Sequence, residues 1–190
     1  MKNPDIRHLN EMKDVLYDRK WAKKAENFEL YYMYREVKKK RGLRYDITVI
    51  PARKLGKEYV KTLGHEHSSN YGEIYVALKG EAVYLIQRAK KGRVEDVYAV
   101  KAKTGQAAIV PPGYGHITIN ASKKELVEGN WIDEKCQNKY GVFLRKRGAC
   151  YYYLNNGWKK NKNYKAVPRL RFEKPLNALP ANLSFLYGKK

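Results

Sequence analysis

The sequence predicts an all-β protein, built as an antiparallel sandwich or barrel, and three observations support this fold class. Short runs rich in Val, Ile, Tyr and Thr recur from residue 29 onward, with Gly, Pro, Asn and Lys between them. Hydrophobic residues make up 43% of the 190 residues, which is enough for a core. Aromatic residues make up 13%, whereas disordered chains are poor in them. Many short strands with turn residues between them are typical of sandwiches and barrels.

Three segments are expected along the chain. Residues 1–28 form an N-terminal helical or extended segment, residues 29–154 form the barrel, and residues 155–190 form a tail, rich in Lys, Asn and Pro, that packs on the barrel or on a partner. Within the first segment, residues 9–25 have a helix-forming composition. One apolar stripe on that helix would contain Leu9, Met12, Val15, Leu16 and Trp21.

The barrel segment contains most of the predicted strands. They lie near 29–36, 43–50, 57–62, 73–79, 81–88, 94–101, 106–110, 116–120, 125–132, 141–145, 149–154 and 168–172. Two stretches have the pattern of a hairpin. Lys79-Gly80 separates one pair of alternating runs, and Lys90–Gly92 separates another.

Charge and cysteine content limit the function classes. Forty Lys and Arg against 19 Asp and Glu give a net charge of +21, which attracts nucleic acid, acidic membranes or phosphorylated metabolites. These cations are scattered and no nucleic-acid-binding motif accompanies them, so we do not expect a nucleic-acid partner. No apolar run approaches the ~20 residues of a membrane helix, and we expect no membrane partner. Cys136 and Cys150 are too few for a disulfide framework, and we expect a cytoplasmic protein.

A set of metal-ligating residues stands out. In His65-Glu66-His67 the two imidazoles project from the same face of a strand, because side chains at i and i+2 share a face. Glu73 follows at the start of the next apolar run, and His116 follows a Pro-Pro-Gly turn. Three imidazoles and one carboxylate suit a divalent transition metal such as Fe, Mn, Zn, Ni or Co. The alternative is that His65 and His67 are ordinary loop histidines.

The spacing around these residues resembles the two signatures of the cupin superfamily. Residues 105–120 read G-x5-P-x-G-x2-H-x3-N, which is the second signature with every fixed position filled. The first signature is matched by His65, His67, Glu73 and Gly80. Its opening Gly is replaced by Tyr59, and five residues instead of three or four separate His67 from Glu73. The resemblance implies a cupin barrel, a double-stranded β-helix or jelly roll, with one metal ion inside.

A longer stretch is similar to the cupin-type glucose-6-phosphate isomerases. The matching residues are Gly56-Lys57-Glu58, Thr62, Gly64-His65, His67, Glu73-Ile74-Tyr75, Leu78, Gly80 and the segment Val110–His116. This resemblance covers roughly residues 44–145. It implies an aldose–ketose isomerase that interconverts glucose 6-phosphate and fructose 6-phosphate, and it implies a homodimer.

The same resemblance implies roles for individual residues. One divalent metal per subunit would be bound by His65, His67, Glu73 and His116. The substrate would contact Thr48, Thr62, Gly64, Tyr75, Asn138 and Tyr140, with the phosphate at the first three. Catalytic roles would fall to Glu73, Tyr75 and Tyr140. In the family a His stands where this chain has Asn138, and Asn cannot be a general acid near neutral pH.

Several alternatives stay open at this point. Glu73 is either a metal ligand or the base that moves a proton between C1 and C2 through a cis-enediol, and a metal-assisted hydride shift competes with that route. Thr48 and Thr62 also fit plain strand composition. The chain could be another cupin, such as a free-sugar isomerase or an Fe(II) dioxygenase, or a non-enzymatic cupin that binds sugar phosphates or RNA.

Overall fold

The computed structural model describes residues 3–68 and 70–188 and confirms the all-β class. The ends of the two predicted terminal segments, Met1–Lys2 and Lys189–Lys190, lie outside the described residues. The strands are β1 (Asp5–His8), β2 (Glu29–Lys40), β3 (Leu43–Ile50), β4 (Lys54–Leu55), β5 (Glu58–Lys61), β6 (Glu66–His67), β7 (Glu73–Lys79), β8 (Glu81–Lys90), β9 (Arg93–Lys103), β10 (Ala107–Val110), β11 (Gly115–Asn120), β12 (Leu126–Asp133), β13 (Asn138–Lys139), β14 (Tyr151–Leu154), β15 (Gly157–Lys160) and β16 (Arg171–Glu173). The helices are α1 (Arg19–Lys24) and α2 (Gly141–Arg145), with 3-10 turns at Leu9–Glu11, Lys13–Val15 and Ser184–Leu186.

Most of the strands form two curled sheets that together make a barrel. One sheet has the order β1-β2-β3-β12-β7-β10, and the other has the order β15-β14-β5-β11-β8-β9-β16, with β4 beside β5. Strands β6 and β13 form a small third ladder. The tail runs along the second sheet, where β15 pairs with β14 and β16 lies parallel to β9. None of the helices in the described ranges is long and apolar enough to span a membrane.

The predicted helix over residues 9–25 is confirmed only in its last part, Arg19–Lys24. Leu9, Met12 and Leu16 are buried in the main core, so tertiary packing holds the first part as two 3-10 turns. A six-residue helix, α1, begins only after Asp18, whose carboxylate accepts a hydrogen bond from the Trp21 amide at 3.1 Å. Capping at Asp18 therefore starts a new helix instead of continuing an earlier one.

The predicted strand over residues 141–145 is also wrong, because α2 lies there. Phe143 in its centre is fully buried. A short apolar run fits a buried helical turn as well as a strand, and periodicity alone does not separate the two. The other predicted strands overlap observed ones.

One predicted hairpin is wrong and the other is confirmed. Strands β7 and β8 lie in different sheets, and Gly80 between them turns the chain from one sheet to the other. Gly80 has φ of +83°, and a Cβ there would lie 2.6 Å from the Glu125 carbonyl oxygen. Strands β8 and β9 do form a hairpin, with Lys91 and Gly92 at positive φ as a tight two-residue turn requires.

Strand register places a row of polar side chains inside the barrel. Thr48 on β3 lies opposite Glu128 on β12, and Asp46 lies opposite Asn130. Side chains two residues apart share a face, so each strand contributes neighbouring polar groups to the interior. All four of these side chains are buried. The opposite sheet contributes His116 from β11, which forms a bridge with His65.

Candidate metal centre and pocket

Four side chains converge in the barrel as a metal-binding group. His65, His67, Glu73 and His116 each offer one donor atom, and these atoms all lie within 4.8 Å of one another. The Nε2 atoms of His67 and His116 are each 3.2 Å from Glu73 Oε2, and that of His65 is 3.9 Å away. Donors bound at about 2.1 Å to one ion are separated by roughly 3.0–3.4 Å. The set therefore needs only a small contraction to bind a divalent transition metal.

Hydrogen bonds from neighbouring groups orient these donors. His67 Nδ1 lies 2.9 Å from the Tyr71 carbonyl oxygen, and donation from Nδ1 leaves Nε2 unprotonated for an ion. Asn130 Nδ2 donates to Glu73 Oε1 at 2.6 Å and leaves Oε2 facing the histidines. His65 Nε2 is buried and has no hydrogen-bond partner among the described residues. A metal ion would satisfy this nitrogen.

The protonation states of Glu73, His65 and His116 fit metal binding. Burial raises the pKa of Glu73, but hydrogen bonds from His116 and His67 outweigh it and hold that pKa well below its usual value. Burial, and after it the nearby His116, holds the pKa of His65 well below its usual value. Burial also lowers the pKa of His116. In His67 the contact with Glu73 outweighs burial, so the pKa rises. An ionised carboxylate and neutral imidazoles are the forms that bind a metal.

The other predicted site residues line a single pocket beside this centre. Its walls include Thr48, Thr62, Gly64, His65, Glu73, Tyr75, Asn138 and Tyr140. The structure thus brings together all the residues that the resemblance singled out, although they come from distant parts of the chain.

The side of the pocket that contains Thr48 and Thr62 is closely packed. Gly64 has φ of +87°, and a Cβ there would lie 2.4 Å from Ile117 Cγ2 and 2.5 Å from Phe143 Cδ1, so only glycine fits. Thr62 Oγ1 accepts a hydrogen bond from the Thr118 amide at 3.0 Å, which orients this hydroxyl. Thr48 is buried on the facing strand.

Three further side chains lie close to the metal donors. The Tyr75 hydroxyl is 2.9 Å from His116 Nε2, and burial raises the pKa of Tyr75 well above its usual value, so this hydroxyl is neutral at pH 7. Asn138 pairs with His67 through the β13–β6 ladder. Its Nδ2 is 3.5 Å from the Tyr140 hydroxyl, and its Oδ1 is buried with no partner among the described residues. Asn138 therefore has hydrogen-bonding capacity left for a ligand.

Sequence reasoning missed three arginines in the pocket wall: Arg7, Arg35 and Arg44. The fully buried Asp46 holds two of them, since Arg35 Nη1 donates to its Oδ2 at 3.1 Å and Arg44 Nε lies 3.3 Å from the same oxygen. These arginines add positive charge to the pocket wall. The alternation of Arg44, Asp46 and Thr48 along β3 is the signal that could have revealed this wall.

Two polar residues on β12 were missed as well. Asn130 and Glu128 are two residues apart and both line the pocket. Burial raises the pKa of Glu128 to about 8, although the neighbouring Thr118 and Tyr84 side chains act in the opposite direction. Polar residues at alternate positions of an otherwise apolar strand were visible in the sequence.

Comparison with known proteins supplies the family. The family model described as glucose-6-phosphate isomerase matches residues 7–169. The chain belongs to the glucose-6-phosphate isomerase family. It is 31% identical to the glucose-6-phosphate isomerase of Thermococcus litoralis over 159 residues, which are 80% of this chain and 81% of that one. It is 30% identical to the enzyme of Pyrococcus furiosus over 80% of this chain and 82% of that one.

A solved structure with a similar backbone is the formate complex of oxalate decarboxylase from Lactobacillus farciminis. The TM-score is 0.45 at 15% identity, and the match covers 57% of this chain and 30% of that chain. A similarity of this size says nothing about the chemistry of the present pocket. Membership of the glucose-6-phosphate isomerase family rests on the family model and the curated relatives.

Proposed function

We propose that this chain is a metal-dependent aldose–ketose isomerase that interconverts glucose 6-phosphate and fructose 6-phosphate. The observation that carries the proposal is the convergence of His65, His67, Glu73 and His116 at one side of a pocket whose other walls carry hydroxyls and arginines. Membership of the family supports the same reaction.

The four donors would hold one divalent transition metal per subunit, Fe, Mn, Zn or Ni. When bound, such an ion polarises carbonyl and hydroxyl oxygens of a sugar and so eases rearrangement between C1 and C2. The chain's own task is to hold the sugar with this end towards the donors.

Substrate orientation follows from the two differing sides of the pocket. The phosphate would bind beside Thr48, Thr62 and the Gly64 backbone, because hydroxyls and backbone amides hydrogen-bond phosphate oxygens directly. The arginines in the wall add favourable charge. A phosphate fixed at one end and a reactive carbon fixed at the other restrict the sugar to one productive orientation.

Three residues would act on the sugar itself. The hydroxyls of Tyr75 and Tyr140 would donate hydrogen bonds to sugar oxygens, and Asn138 would bind a hydroxyl without transferring a proton. Glu73 is a weak base, because its Oε1 accepts from Asn130 and its Oε2 faces imidazoles. Its main role would be that of a ligand. Incorporation of solvent deuterium at C2 of glucose 6-phosphate would instead indicate a proton-transfer route, which requires a base in addition to the metal ligands.

We further propose a cytoplasmic homodimer without nucleic-acid or membrane partners. Exposed apolar side chains support an interface, since Phe172 is 69% exposed and Leu179 45%. A dimeric mass in light scattering at micromolar concentration is expected, and a monomeric mass would reject this part.

A coupled assay tests the function directly. Fructose 6-phosphate is supplied to chelator-treated protein reloaded with Mn, Fe, Zn or Ni, and formation of glucose 6-phosphate is followed. We expect turnover that depends on the metal and is absent with unphosphorylated fructose. Metal-independent turnover, equal use of free fructose, or none with any metal would contradict the proposal.

A further inference from the structure

Glu128 is a carboxyl group in the pocket wall that the metal donors do not use. It lies on β12, opposite Thr48 on one neighbouring strand and Ala77 on the other. Its side chain lines the same pocket as Thr48 and Thr62, and only 1% of the residue is exposed. The carboxyl group therefore faces the region where the phosphate of a sugar phosphate would bind.

One carboxyl oxygen of Glu128 keeps hydrogen-bonding capacity that the fold does not use. Its Oε2 is buried and makes no hydrogen bond of good geometry in the part of the chain that the structure describes, although the Tyr84 and Thr118 side chains lie beside the carboxyl group. Buried polar atoms without partners are rare and costly in proteins. Because Glu128 lines the pocket, a polar ligand there can complete the hydrogen bonding of its Oε2.

The charges around Glu128 determine the form of the carboxyl. The groups that face it are Thr48 from β3, Glu73 and Tyr75 from β7, Tyr84 from β8 and Thr118 from β11. None of them is a cation, and no ion pair within 4.0 Å involves Glu128 among the described residues. Burial without a counter-ion favours the neutral acid, which raises the pKa to about 8.

We propose that Glu128 binds the substrate phosphate as a neutral acid, donating its proton in a hydrogen bond to a phosphate oxygen beside Thr48 and Thr62. This inference rests on the proposed function, and it names Glu128 as the residue that makes substrate affinity depend on pH.

The ionisation of the substrate phosphate and of Glu128 together determines how affinity depends on pH. A phosphate monoester has its second pKa near about 6, so it is a dianion throughout the range from pH 7 to 9. An ionised Glu128 would repel that dianion, and binding would require the protonated acid. With a pKa of about 8, the fraction of protonated Glu128 falls about tenfold between pH 7 and pH 9.

The test compares KM values of the Mn-loaded protein for fructose 6-phosphate at pH 7 and pH 9. In the wild type we expect KM to rise about tenfold. Glu128→Gln keeps a hydrogen-bond donor but cannot ionise, so its KM should not change by more than about twofold. Glu125→Gln, which alters a surface residue paired with Lys79, should behave as the wild type does. An unchanged wild-type KM, or the same rise in Glu128→Gln, overturns the proposal.

A binding measurement separates this inference from the isomerase activity. Sorbitol 6-phosphate has no carbonyl group and cannot be isomerised, so calorimetry with the Mn-loaded protein reports affinity without turnover. The same tenfold loss of affinity between pH 7 and pH 9 is expected in the wild type and not in Glu128→Gln. If this dependence is found in a protein that does not turn over fructose 6-phosphate, the proposed function fails and Glu128 keeps its role. If Glu128→Gln does not fold, a wild-type affinity that is equal at both pH values still overturns the inference.

Discussion

Two carboxyl groups in one pocket behave in opposite ways. Glu73 and Glu128 are both almost fully buried, with 2% and 1% of each residue exposed. Glu73 faces three imidazoles and accepts from Asn130, and its pKa lies well below the usual value. Glu128 faces hydroxyls and another acid, and its pKa rises to about 8.

The difference teaches that neighbours rather than burial decide the charge of a buried acid. Burial raises the pKa of both groups, and only Glu73 has hydrogen-bond donors that together outweigh it. Glu73 is thus an anion beside the histidines, and Glu128 is a neutral acid beside Thr48. Such a division suits a substrate whose phosphate must stay away from the cation site.

Removal of a metal ligand should have the largest effect. His116→Ala takes one of four donors from the metal centre, so we expect metal affinity and isomerase activity each to fall by at least about 100-fold. Metal content after dialysis and the coupled assay measure the two effects. His8→Ala, outside the pocket, is the control. Full metal content in His116→Ala would show that the four residues do not form the site.

The second-largest effect should be a dependence of the unfolding free energy on pH that is caused by Glu128. The pKa of Glu128 is about 8 in the folded protein against 4.5 as its ordinary value. The folded state therefore holds the extra proton between those values, and the stability that it contributes below pH 4.5 is lost as pH rises to 8. We expect metal-free wild type to lose on the order of a few kcal/mol of unfolding free energy over this range relative to Glu128→Gln. Denaturant unfolding at pH 5, 7 and 9 measures it, and parallel curves would contradict the assignment.

Loss of the hydrogen bond from Asn130 to Glu73 should have a smaller effect on metal affinity. Asn130→Ala removes the donor 2.6 Å from Glu73 Oε1, and we expect metal affinity to fall roughly 10-fold. Competition with a metal chelator measures the affinity. Asn177→Ala, at an exposed site in the tail, should leave it unchanged. An unaltered affinity in Asn130→Ala would mean that the amide does not orient the carboxylate.

The smallest predicted effect concerns the phosphate side. Thr62→Val removes a hydroxyl held by the Thr118 amide, so we expect KM for fructose 6-phosphate to rise roughly three- to tenfold with little change in metal content. Steady-state kinetics and metal analysis check both. Thr104→Val, in an exposed turn, is the control. A fall in metal content equal to the loss of activity would place Thr62 at the metal side instead.

The metal donors were predictable because local spacing carries the information. His65 and His67 lie on the same face of a strand, and a Pro-Pro-Gly turn leads into His116. Short motifs therefore define both parts of the metal-binding group. The strands of the barrel were predictable from their composition for the same reason. The segments around Val15 and Phe143 were not, because their conformation depends on burial against distant parts of the chain.

The rest of the pocket could not be read from local patterns. Whether Arg44 and Glu128 point inward depends on strand register across β3, β12 and β7, and that register is set by long-range pairing. Gly80 looked like the centre of a hairpin, although it connects two sheets. A one-residue shift of β12 would have turned the Glu128 side chain to the outside of the barrel.

The most direct test of the opposite charges is carbon-13 NMR of the protein labelled at the glutamate carboxyl carbons. A titration from pH 5 to pH 10 reports the ionisation of each carboxyl, and Glu128→Gln assigns the signal of interest. One carboxyl carbon that titrates near pH 8 in the wild type and is missing in the variant is expected. If every carboxyl carbon is already ionised at pH 7, Glu128 is not a neutral acid and the division of the pocket is wrong.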